Sequence, residues 1–224
     1  MHLASFAGGR WFGRGHGGSF SPILRAVDAR VAVLASGSGT NLQALLDDPV
    51  VGPAVALVVS DRPEAKVLDR ARTAGVRAVH LDPGRYASRE EHDAALLDEL
   101  RGASIDVVCL AGYMRILSPP LVRAFWGRMV NIHPSLLPAF PGAHAVRDAL
   151  AWGVRVTGCT VHLVDEEVDH GPILAQETVG VLPDDDEETL HARIQEAEHR
   201  LYPRTVRALV ERRVRLEGRR AVVR

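Results

Sequence analysis

Val31-Ala32-Val33-Leu34-Ala35-Ser36-Gly37-Ser38-Gly39-Thr40-Asn41-Leu42 decides the fold. Its first five residues are an unbroken apolar run, the pattern of a short strand buried on both faces. Ser and Gly then interrupt the run, and Thr40 and Asn41 lead into the amphipathic stretch 42–46, so the segment reads as strand, tight turn and helix. Further apolar runs at 55–59, 76–81 and 105–111 alternate with helical stretches at 64–73 and 90–100. That rhythm predicts parallel βαβ units and a Rossmann-like α/β fold, a mostly parallel twisted sheet flanked by helices. Downstream, a helix over 145–152 precedes two apolar strands, 156–164 and 173–181, an antiparallel addition in the C-terminal half. A last helix is opened by the acids after Pro183. Residues 31–216 are thus expected as a single domain, with 217–224 as a C-terminal tail. Residues 1–30, rich in Gly, Ser and Arg, are expected as a disordered N-terminal extension.

Composition removes several functions. A net charge of −1 gives no long-range attraction to nucleic acid or an anionic membrane, so the expected partners are small molecules. Residues 1–30 have no apolar core long enough for a membrane helix or a secretion signal. Cys109 and Cys159 lie in strand-like runs without a C-x-x-C motif, which points to reduced thiols and a cytoplasmic location. Lys66 is the sole lysine, which excludes a G-K-S/T phosphate loop and argues against Schiff-base chemistry.

The glycine loop starts as G-x-G but has Leu42 where the third glycine of a dinucleotide fingerprint belongs, so NAD binding is disfavoured. Asp61 reads as part of a turn capping the next helix rather than as a ribose ligand. There remains a nest of N–H groups at a helix N-terminus, suited to a phosphate monoester, with Ser36 and Ser38 as side-chain ligands. A purely structural tight turn is the competing reading.

The chemistry concentrates in Asn131-Ile132-His133-Pro134-Ser135-Leu136-Leu137-Pro138. Along a strand the period of two sends Asn131 and His133 to one face and Ile132 to the other, and Pro134 and Pro138 stiffen the loop beyond. An Asn amide and an imidazolium both donate N–H groups to an oxyanion developing on a carbonyl under attack. The acidic loop Asp165-Glu166-Glu167-Val168-Asp169-His170-Gly171-Pro172 contains a carboxylate, Asp169, able to raise a histidine pKa. Composition alone reads that loop as a solvated turn. Tyr113-Met114-Arg115-Ile116-Leu117 follows a buried strand at the sheet edge where open α/β folds bind ligands. Gln195 and Glu198, at i and i+3, share a face of the last helix. No His-x-x-x-His or Cys/His spacing marks a metal site, and no metal is expected.

The octapeptide 131–138 resembles the signature of folate-dependent formyltransferases that use 10-formyltetrahydrofolate as co-substrate. The order of segments 36–41, Arg89, 114–117, 131–138, 165–172 and 195–198 resembles the glycinamide ribonucleotide transformylase branch of that family. The likeness implies transfer of the formyl group to the amine of 5-phosphoribosylglycinamide. It implies Asn131, His133 and Asp169 as catalytic, with Asp169 raising the pKa of His133. Gly39, Thr40 and Asn41 would hold the ribonucleotide phosphate, and Gln195 and Glu198 the glycinamide end. Arg89, Met114, Arg115, Ile116, Leu117, Asp165, Glu166, Glu167 and Val168 would belong to the folate side. This chain departs from the family at His170, where small residues are usual. A homodimer is compatible with the resemblance. The rival readings are a formyltetrahydrofolate hydrolase, disfavoured by the lack of a regulatory domain before residue 31, and a methionyl-tRNA formyltransferase, disfavoured by the lack of a C-terminal barrel. A non-catalytic nucleotide-binding module is a third.

Overall fold

The computed structural model describes residues 29–223. Seven strands, β1 (Val31–Leu34), β2 (Val55–Ser60), β3 (Arg77–His80), β4 (Val107–Leu110), β5 (Met129–His133), β6 (Val156–Leu163) and β7 (Ile173–Gly180), form one sheet in the order β3-β2-β1-β4-β5-β6-β7. β1 to β5 pair in parallel, and β6 and β7 add antiparallel strands at one side. The α/β architecture and its antiparallel addition are those predicted from the alternation of runs.

Every residue of β1 and β4 is buried, as expected for central strands covered on both faces. On one face Val33, Cys109, Val130 and Ile132 pack with α1 (Thr40–Asp47), α2 (Lys66–Thr73), α5 (Ala145–Trp152) and α6 (Glu187–Val210). On the other, Leu34, Val108, Leu110 and Met129 pack with Leu96 and Leu100 of α3 (Arg89–Gly102) and Leu121 of α4 (Pro119–Ala124). α6 opens with a capping box between Asp186 and Thr189. Its fully buried Tyr202 donates its hydroxyl proton to Leu110 O at 2.8 Å, tying the longest helix to the sheet centre.

β1 lies between β2 and β4, so the chain winds outward in both directions from it, and the crevice at the C-terminal ends of β1 and β4 is the topological switch point. The two loops leaving these strands are stitched together there. Ser36 N donates to Gly112 O at 3.0 Å, and Met114 N donates to Ser36 Oγ at 3.0 Å.

Three boundaries differ from those expected. The fold includes Ala29, which is buried, and Arg30, whose N–H reaches Asp106 Oδ2 at 2.9 Å. The rest of the expected extension, residues 1–28, lies outside the described residues. Residues 217–223, expected as part of a tail, instead contribute to an antiparallel hairpin of β8 (Val214–Glu217) and β9 (Arg220–Val223), turned at Gly218 with φ of +63°. The short α4, begun by Pro119 and Pro120, is an element the apolar periodicity does not signal.

Candidate active site

Residues 35–39 connect β1 to α1. Gly39 caps α1 with φ of +73°, and a Cβ there would lie 2.8 Å from Val67 of α2, so the position excludes a side chain on two independent grounds. No side chain caps α1, which leaves its first N–H groups directed at the cavity. Gly37, Ser38, Gly39, Thr40 and Asn41 all line that cavity. Ser36, expected as a phosphate ligand, is instead buried and occupied by the Met114 N–H. Opposite the loop, Gln195 and Glu198 of α6 project inward, and Asn41 Nδ2 donates to Glu198 Oε2 at 2.8 Å. Burial pushes the Glu198 carboxyl up to about 7, with the Asn41 hydrogen bond opposing.

The second half of the site is built from β5, β6 and two loops. Asn131 and His133 emerge on the same sheet face as Met129, while Val130 and Ile132 point into the opposite core, as the period of two requires. His133 is buried between two acceptors. Its Nε2 lies 2.8 Å from Phe140 O and its Nδ1 3.4 Å from Asp169 Oδ2. Both acceptors belong to residues in the left-handed region, Phe140 at φ +51° and Asp169 at φ +52°, a cost accepted where it aims a group at the imidazole. Asp169 also takes a hydrogen bond from Gly142 N at 2.7 Å and a long one from Asn131 Nδ2 at 3.4 Å. Burial raises the Asp169 pKa, but the neighbouring His162, the hydrogen bond from Gly142 N and the His133 imidazole outweigh it and leave it below the usual value.

The expectation of a raised His133 pKa is corrected by its burial. Desolvation pushes His133 below the ordinary histidine range, and Asp169 with the Phe140 carbonyl only partly restores it. An anion arriving beside the ring would favour its charged form, as Asp169 does.

His162, absent from the residues the sequence singles out, sits between the partners. It is the antiparallel neighbour of Asn131, and its Nε2 lies 3.2 Å from Asn131 Nδ2 and 3.6 Å from Asp169 Oδ1. Its Nδ1 faces Leu163 O at 2.9 Å, so in the neutral ring Nδ1–H donates there and Nε2 is free to accept from Asn131. The register of β5 against β6 is the signal that would have found it. Among the described residues no cluster of His, Cys, Asp and Glu is arranged to hold a metal ion.

The remaining walls are apolar with acidic edges. Met114, Arg115, Ile116 and Leu117 face Asp165, Glu166, Glu167 and Val168 across a cavity of about 620 Å³ that also contains Asn131, His133 and the glycine loop. Met114, Ile116 and Val168 are each more than half exposed, an apolar surface fit to meet a flat heteroaromatic ring. Glu166 is held by a two-pronged ion pair to Arg123 of α4, at 2.6 and 3.1 Å. Arg89 is the exception: it opens α3 on the surface, pairs with Glu90 at 2.9 Å and is not part of the cavity wall. His191 lines the cavity one turn before Gln195.

Fold and site together define a doubly wound α/β protein in which Asn131, His133, His162 and Asp169 cluster in the cavity that the glycine loop also lines. The profile of the formyl transferase family matches residues 29–206, and the chain belongs to that family. It is 47% identical over 196 residues to phosphoribosylglycinamide formyltransferase of Mycobacterium tuberculosis, covering 87% of this chain and 91% of the relative. It is 50% identical over 186 residues to the trifunctional purine biosynthetic protein adenosine-3 of Drosophila melanogaster, covering 81% of this chain but only 14% of that longer protein. The crystal structure of glycinamide ribonucleotide transformylase 1 from Symbiobacterium toebii superposes with a TM-score of 0.86 at 51% identity, covering 91% of this chain and 98% of that one.

Proposed function

We propose that this protein transfers the formyl group of 10-formyltetrahydrofolate to the amine of 5-phosphoribosylglycinamide, a step of de novo purine biosynthesis. The observation that carries the reading is that Asn131, His133 and Asp169 converge in the cavity that also contains the glycine loop and the apolar wall 114–117. The likeness, over nearly the whole of both chains, to an enzyme named phosphoribosylglycinamide formyltransferase supports it.

In this reading Gly39, Thr40 and Asn41 bind the phosphate through backbone N–H groups, Gln195 and Glu198 bind the glycinamide end, and 114–117 with 165–168 take the folate. Arg89, outside the cavity wall, is a candidate only for the part of the folate that extends beyond the cavity. The amine nitrogen attacks the formyl carbon, forming a new C–N bond and a tetrahedral oxyanion that Asn131 and His133 stabilise. Collapse breaks the bond to the folate nitrogen, which leaves as the amine and takes up one proton, while the attacking nitrogen loses one. In this reading His133, or a water polarised by Asp169, relays that proton, and no covalent enzyme species is required. The buried free thiols of Cys109 and Cys159 support a cytoplasmic location. A homodimer is the further partner this reading allows, and sedimentation velocity tests it.

The test is a spectrophotometric assay of 10-formyltetrahydrofolate turnover with and without the ribonucleotide. Turnover is expected only when the ribonucleotide is present. Equal deformylation in its absence would replace this reading with a hydrolase, and no turnover in either case would leave a binding module.

A further inference from the structure

The acidic loop that closes one side of the cavity is fastened at its far end to a part of the chain that belongs to no substrate site. His170 Nδ1 lies 2.7 Å from Asp165 Oδ2, while Arg219, in the turn between β8 and β9, places Nη1 3.2 Å from His170 Nε2 and Nη2 2.5 Å from His170 O. With the ring neutral, the donors run one way: Arg219 donates to His170 Nε2, and His170 Nδ1–H donates to Asp165. Asp165 in turn accepts the Glu167 N–H through Oδ1 at 3.1 Å. One guanidinium thus fixes the backbone of residue 170 and, through the imidazole, the cavity-lining Asp165.

We propose that Arg219 and His170 are positioning residues for the co-substrate loop, and that the C-terminal hairpin acts as its anchor. The inference rests on the assignment of residues 165–168 to the folate side. Two arguments support it beyond the distances. The loop is also held at Glu166 by Arg123 and at Asp169 by the Gly142 N–H, so Arg219 supplies the fastening at residue 170, between Asp169 and the return to β7. Asp169 itself sits at φ +52° next to His170, a conformation that persists only where the neighbouring backbone is restrained. His170 is 45% exposed and Arg219 is exposed, so the link is worth one net hydrogen bond rather than a buried ion pair.

Two substitutions approach the link from opposite ends, Arg219→Gln from the hairpin and His170→Ala from the loop. Hydrogen exchange on the unliganded proteins is expected to quicken at residues 165–170 in both variants and stay unchanged in β1, β4 and β5. In steady-state assays the KM for 10-formyltetrahydrofolate is expected to rise about three- to tenfold, the equivalent of one net hydrogen bond, with kcat and the ribonucleotide KM little altered. The double variant should be no worse than the worse single one, because both break the same link. Unchanged exchange at 165–170, or ribonucleotide and folate KM values rising together, overturns the proposal. Should the unsubstituted protein show no transfer, the functional reading fails while the exchange measurement still decides the anchor. Should Arg219→Gln unfold the hairpin, His170→Ala, which leaves the hairpin turn intact, decides alone.

Discussion

The two ends of the cavity are made in different ways. The glycine loop is local: a dozen consecutive residues build a strand, a left-handed Gly39 and an uncapped helix start at the cavity. The cluster around His133 is the reverse, assembled from β5, β6, the 140–142 loop and the acidic loop, with 31 residues between Asn131 and His162 and 38 between Asn131 and Asp169. The first end depends on backbone shape, so it tolerates side-chain change except where a Cβ collides. The second depends on side chains whose pKa values and hydrogen bonds are set by one another. Damage should therefore be graded by chemistry at one end and by sterics at the other.

The largest effect is expected from His133→Ala. Removing a preorganised oxyanion donor costs on the order of a hundredfold or more in rate. The transfer rate constant should fall by that much while thermal melts and ribonucleotide binding stay close to normal. An equally large loss of binding would mean that the His133 end is as structural as the loop.

Asp169→Asn should come next, with at least a tenfold loss at neutral pH on the scale of a perturbed general acid or base. The carboxylate contributes an upward push on the His133 pKa against a larger downward push from burial. Its removal lowers that pKa further, so the pH limb on which activity is lost as pH rises should move to lower pH. Rate profiles of the two proteins check the sign. A double-mutant cycle with His133→Ala should give a combined loss well short of the product of the single losses, and fully multiplicative losses would detach Asp169 from His133.

Gly39→Val tests the other end. A side chain at φ +73° costs about 1–2 kcal/mol in backbone strain, and its Cβ would meet Val67 at 2.8 Å, so α1 or α2 must shift. Titration calorimetry should show ribonucleotide binding weakened about tenfold with folate-analogue binding largely kept. Parallel loss of both ligands would make the loop a fold element and erase the contrast between the two ends.

Glu198→Gln should give the smallest change. The Glu198 pKa is raised by burial to about 7 in the folded protein, above its unfolded value, so the folded state carries a charging penalty. That penalty is absent at low pH, grows as pH rises from about 4.5 to about 7, and is complete above. Set against the charge-assisted hydrogen bond from Asn41 that the variant loses, the net gain at pH 8 is on the order of 1 kcal/mol. Differential melts at pH 5 and pH 8 should show the variant gaining on the native protein only at the higher pH. A constant difference would mean that Glu198 is ionised throughout.

The parallel half of the fold is legible in the sequence because each βαβ unit carries its own signals: an uninterrupted apolar run, a Gly or Pro break, then amphipathic helix. The glycine loop is legible for the same reason, as is the shared face of Asn131 and His133, which is a matter of strand geometry over adjacent residues. The hairpin at 214–223 escapes such a reading because its strands are only four residues each and its turn has a single Gly218. Ser36 looks like a phosphate ligand in sequence, but its hydroxyl is claimed by Met114, 78 residues away.

The sequence by itself determined the order of elements in the parallel half, the tight turn after β1 and the shared face of Asn131 and His133, all properties of short segments with fixed periods. Only the tertiary structure decided that His162 joins Asn131 and Asp169, that Arg89 stays outside the cavity wall, and that burial leaves His133 below rather than above its ordinary pKa. Those outcomes depend on strand register and on desolvation, and both are sums over groups distant in the chain, to which no local pattern responds.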